Sequence, residues 1–279
     1  MKTSNPVLSR LGQAAGRERA AGYAQPGPYA QPGPYAQPGY PQQQPYPTGY
    51  GHPAAPPTVT PMTLDDVVVK TVTLLGILGV MAAATWAVLP DELLGLAWIG
   101  GAVVGLVLGL IISFSRMANP ALVIAYAVVE GVFLGAVSKT FNTLYDGIVL
   151  QAVVATFGVF FMMAMLYKSR VIRATPKFTK ILIAMMGGLF AVMLINLVLA
   201  LFGVNTHLRD GSPLAIGFSL VCIVVASLSF VLDFANIEDG VRMGLPQRYS
   251  WTAAFGIVVG LVWLYLEVLR LLSYFQGDD

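Results

Sequence analysis

Charge is scarce in this 279-residue chain. Only 11% of its residues are Asp, Glu, Lys or Arg, against about 25% in a soluble domain. Sixteen Lys and Arg against fourteen Asp and Glu leave a net charge of +2. That is too little and too dispersed for a nucleic-acid surface, so no nucleic-acid partner is expected. A single cysteine, Cys222, excludes a disulfide framework and a thiolate metal site. Two histidines, His52 and His207, exclude a His-rich metal centre. Apolar residues are abundant: 56% of the chain is hydrophobic and the mean hydropathy is +0.71. The expected class is an all-α integral membrane protein whose first partner is the lipid bilayer.

Residues 1–62 are unlike the rest. AQPGPY stands at 24–29, repeats at 30–35 and recurs as AQPGY at 36–40. Pro, Gly, Gln and Tyr without apolar periodicity bury too little surface to offset backbone entropy. The segment reads as a disordered, partly polyproline-II cytoplasmic tail, either simply solvated or docking membrane-protein partners. A signal peptide needs an early apolar run, and the first such run begins only at Val67. The domain division is thus a tail over 1–62 and a membrane domain over 63–279.

Apolar stretches of about 19–25 residues then recur, each long enough to cross about 30 Å of hydrocarbon. They fall at 67–89, 94–114, 120–138, 147–167, 180–203, 213–235 and 251–275. They are continuous rather than alternating, so they are helices. The breaks carry stop signals: Pro90-Asp91-Glu92, Asn119-Pro120, Asp146-Gly147, Thr175-Pro176, Asp210-Gly211-Ser212-Pro213 and Gly240. With the N-terminus placed in the cytoplasm, thirteen of the sixteen Lys and Arg fall on the cytoplasmic side, as the positive-inside tendency requires. Seven spans put the C-terminus outside the cell membrane. Gly101, Gly105 and Gly109 stand four apart, a spacing that lets helices approach closely.

Ionisable residues inside a span are costly and point to function. Glu130 lies ten residues into the third span, Asp233 near the end of the sixth, and Glu267 sixteen residues after Trp251 in the seventh. At about 1.5 Å per residue they form a staggered ladder. Such carboxylates could bind a cation when ionised and release it when protonated, and oxygen ligands suit Ca²⁺. Transient Ca²⁺ at Asp233 and Glu267 is the only metal expectation; no resident metal or organic cofactor is implied. The bland alternatives are that Glu267 is neutralised by Arg270, three residues on, and that Asp233 pairs with Arg116. No span contains a His, the seventh contains no Lys, and no phosphate-binding glycine loop exists. A nucleophile–base pair is missing, so no enzyme is expected.

Three stretches carry a family resemblance: NPALVIAYAVVEGVFLGAVS at 119–138, GFSLVCIVVASLSFVLDFANIEDGV at 217–241 and GLVWLYLEVLRLL at 260–272. Over residues 65–275 the chain resembles the Bax inhibitor-1 (transmembrane BAX inhibitor motif) family in its bacterial YccA-like branch, with an actinobacterial cast. The resemblance implies a seven-helix bundle with helix seven central. It also implies a pH-sensitive Ca²⁺ leak whose proton sensor is an acidic pair on helices six and seven, engaged by an Arg of helix two. Asp233 would be the helix-six member, Glu267 the helix-seven member when LYLE is set on the family's LYLD, and Arg116 the latch. The second reading is a non-transporting regulator of stress response or membrane-protein quality control, acting through partners held by the tail.

Overall fold

The computed structural model describes residues 60–115, 117–204, 208 and 210–277. Seven α-helices follow one another: α1 Leu64–Val88, α2 Asp91–Phe114, α3 Pro120–Leu144, α4 Ile148–Lys168, α5 Pro176–Leu201, α6 Pro213–Arg242 and α7 Tyr249–Gln276. All seven are long and apolar enough to cross a membrane. The tail expected over 1–62 lies outside the described residues as far as position 59. Its last three residues are held: Met62 N–H donates to Leu245 C=O (2.7 Å), and Gln247 N–H donates to Thr60 C=O (2.9 Å).

Local chemistry starts each helix where its signals stand. Thr63 caps α1: Asp66 N–H donates to Thr63 Oγ1, and Asp66 Oδ2 accepts from Thr63 N–H, both at 3.1 Å. The reciprocal pair satisfies two otherwise orphaned donors. Asn119 and Ser212 cap α3 and α6, each followed by a proline at the first helical position, where its missing N–H is no loss. Gly147 enters α4 at φ 78°, a left-handed conformation that glycine adopts without penalty. Thr63→Ala is expected to lower stability by about 1 kcal/mol, read as a drop in the melting temperature of the detergent-solubilised protein.

The helices exceed several of the apolar spans. α3 runs on to Leu144 rather than stopping at 138, because Lys139 is accommodated: its Nζ pairs with Asp91 Oδ1 (2.7 Å) and donates to Leu89 C=O (2.8 Å). α6 passes through Gly240 and ends at Arg242; the reversal falls at Gly244, φ 64°. Glu238 supports the extension by pairing with Arg242 and by accepting from Tyr167 Oη, both at 2.5 Å.

α7 is the central helix. It packs against α6, α1, α4 and α3, while α2 rests mainly on α3, and α5 on α6. Helices α3 and α7 are the most enclosed, and α5 the least. Tyr126 meets Phe255 edge to face at 5.0 Å, and Ser138 Oγ lies 2.7 Å from Tyr265 Oη, so α3 and α7 run parallel. The glycine stripe of α2 packs on α3: Gly101 lies on Phe133, Gly105 on Glu130 and Gly109 on Tyr126. Those glycines thus serve packing within the chain.

Candidate functional site

The acidic side chains set inside the bundle lie on α3, α6 and α7. Glu130 is 7% exposed. An atom added at Gly105 Cα would come within 2.6 Å of its Oε2, so the carboxylate lies directly on the α2 backbone, in a space left by the absent side chain. Asp233, half-buried on α6, stands in the same relation to α7: a Cβ on Gly256 would lie 3.4 Å from Asp233 Oδ1. Among the described residues no salt bridge or hydrogen bond reaches either carboxylate. Both are carboxylates in an apolar bundle without a compensating cation, an expensive arrangement when ionised.

Their levels follow from the register. Asp233 lies against Gly256, and Phe230, one turn earlier on α6, lies against Gly260. Glu130 is one turn past Tyr126, which meets Phe255. The two acids therefore sit within about one helical turn of each other along the bundle axis, or about 5 Å.

Glu267 is elsewhere. It is eleven residues beyond Gly256 on α7, about 16 Å along the axis. At 2% exposure it is the most enclosed acid described. Its Oε1 accepts from Arg270 Nη1 at 2.7 Å, and its Oε2 has no partner. Asp233 and Glu267 are thus not brought together. One Ca²⁺, with oxygen ligands at about 2.3–2.6 Å, cannot span them, so the shared transient site is not formed here. The order Asp233, Glu130, Glu267 along the axis agrees with the expected ladder. Arg116, the expected latch, lies outside the described residues. No group of three or more His, Cys, Asp or Glu among the described residues could hold a metal.

Two features have no obvious signal in the sequence. The first is glycine as the seat of each unpaired acid, since Gly105 and Gly256 are distant from Glu130 and Asp233 in the chain. The second is a cavity of about 440 Å³ around Glu267 and Arg270, walled by Trp98, Phe133, Phe141 and Trp263. Its one legible trace is the spacing of Trp263 and Glu267, four apart on one helix face.

Six apolar helices around a central seventh, with unpaired acids in the core, define a multi-pass helical membrane protein. The Bax inhibitor 1 like family model matches residues 5–277, and the chain belongs to that family. No curated protein matches it closely.

Proposed function

We propose that the protein is a cation leak, permeable to Ca²⁺ and responsive to pH, in a bacterial cell membrane. The observation that carries this reading is the pair of uncompensated carboxylates, Glu130 and Asp233, at nearly one level beside the central helix. An ionised carboxylate in that position attracts a partly dehydrated cation. Protonation removes the attraction, so the expected flux falls on acidification. Asp233 is the sensor nearer the N-terminal end of α7, and Glu130 the second site. Glu267, held by Arg270, is a third site one level further on. The excess of Lys and Arg at the ends expected inside supports a cytoplasmic N-terminus and an extracytoplasmic C-terminus. The chemistry is permeation without bond making, and no enzymatic step is assigned.

Asp233→Asn keeps the shape of the side chain and removes its charge. In liposomes it is expected to reduce Ca²⁺ flux at neutral pH by about tenfold, the effect of losing one ionic site at about 1.4 kcal/mol per decade, and to flatten the response to pH. Glu130→Gln is expected to act in the same direction. Flux and pH response unchanged in both variants, with both folded, would remove the carboxylates from the pathway and favour a regulator acting through protein partners.

A further inference from the structure

The cavity at Glu267 adjoins a second one. That neighbour, about 580 Å³, is lined by Ile183, Met186, Gly187, Phe190 and Met193 of α5 together with Trp263. Met193 and Trp263 belong to both, so the two adjoin along the crevice between α5 and the α2–α3–α7 core. The crevice is amphipathic along its length. Its section along α5, at Ile183, Met186, Gly187 and Phe190, is wholly apolar. The other end carries Glu267 and Arg270. Ser138 contacts Tyr265, so the next residue, Lys139, lies close to the level of Glu267. Lys139 pairs with Asp91 at the first residue of α2. The polar end of the crevice therefore lies near the end of α1 and the start of α2.

Two buried polar atoms there lack partners: Glu267 Oε2, an acceptor, and Trp263 Nε1, a donor. Both residues line the cavity. Arg270 gives one contact to Glu267 Oε1 and retains further N–H donors. The aromatic walls, Trp98 and Phe141 with ring centroids 6.3 Å apart and Trp263, favour a cation. A guest that satisfies this set needs an N–H-bearing cation for Glu267, an anionic oxygen for Arg270 and Trp263, and an apolar tail for the α5 section. The geometry points to a phospholipid with a primary-ammonium headgroup, of the phosphatidylethanolamine type, seated head toward the α1–α2 loop and tail along α5. Choline lipids carry the same charge but have no N–H for Glu267, and glycerol lipids carry no cation. Of the acids in the leak reading this inference uses Glu267 alone and neither Asp233 nor Glu130, so its failure leaves that reading standing.

The test is native mass spectrometry of the full-length protein, delipidated in detergent and offered equal amounts of dioleoyl phosphatidylethanolamine, phosphatidylcholine and phosphatidylglycerol. Phosphatidylethanolamine is expected to be retained over the other two. Glu267→Gln is expected to lower its retention about tenfold, the usual effect of a lost charge-assisted hydrogen bond. Trp263→Phe keeps an aromatic ring, removes the N–H and is expected to reduce retention while the protein remains folded. It decides the matter should Glu267→Gln fail to fold. Free phosphoethanolamine, offered alone, is expected to bind far more weakly, because the α5 section recognises the tail. Equal retention of the three lipids would overturn the assignment. So would phosphatidylethanolamine retention that Trp263→Phe and a folded Glu267→Gln leave unchanged, or binding of the free headgroup as strong as that of the lipid.

Discussion

Arg270→Leu is expected to destabilise the bundle by about 3 kcal/mol, near the lower end for breaking a buried ion pair by removing one partner. Glu267 is 2% exposed, and its only partner among the described residues is Arg270. Deleting the guanidinium leaves a buried carboxylate without the countercharge that the chain supplies. The lower end of the range applies because the Arg270 side chain is itself 21% exposed. Removing both charges, in Glu267→Leu with Arg270→Leu, is expected to recover most of the loss, since a buried pair replaced by apolar groups is often close to neutral. Thermal unfolding of the four proteins in one detergent gives the cycle. A single Arg270→Leu variant as stable as wild type would mean that the pair contributes nothing.

The second large effect is expected where α1 and α3 touch. A methyl group at Gly135 would lie 2.5 Å from Ala82 C=O and 2.8 Å from Thr85 Cβ, and one at Gly131 would lie 2.6 Å from Leu78 C=O. The obstacles are backbone, which cannot rotate away as a side-chain tip can. Gly135→Ala must therefore push α1 off α3, and overpacking of this kind costs about 1–3 kcal/mol. Helix propensity works the other way, favouring Ala by about 1 kcal/mol. Gly158→Ala isolates that term, because nothing lies within 4 Å of the added atom. The expected pattern is a lowered melting temperature for Gly135→Ala and an unchanged or slightly raised one for Gly158→Ala. Equal effects at the two positions would show that the α1–α3 contact tolerates a methyl group.

Hydropathy located all seven helices because each must bring its own backbone hydrogen bonds into lipid. It was less informative about where they end, since it marks the hydrocarbon layer and not the helix. Pro176, Lys177 and Lys180 begin α5 with a polar turn, and Lys139, Glu238 and Arg242 prolong α3 and α6 beyond their apolar runs. In each case a cap or an ion pair supports the extra turn. The acids of the core were legible individually, because a charge in an apolar run stands out in one dimension. Their partners were not. The spacing of Glu267 and Arg270 offered their pairing as an alternative to a sensing role, and they do pair. The match of Glu267 to a partner for Asp233 came from the local string around it, whereas the level of a residue on α7 is set by packing against α3 and α6. Gly256, and not Glu267, stands opposite Asp233. That relation depends on how deep two distant segments sit, and no spacing within either segment encodes it.

The central claim is that cations pass beside α7 under the control of core carboxylates. Its most direct test is Ca²⁺ entry into liposomes containing the purified wild-type chain, followed between about pH 5.5 and pH 8. The account predicts entry well above that of empty liposomes at the alkaline end, falling as the pH is lowered. Entry no greater than that of empty liposomes at every pH, from protein shown to be folded and inserted, would contradict it.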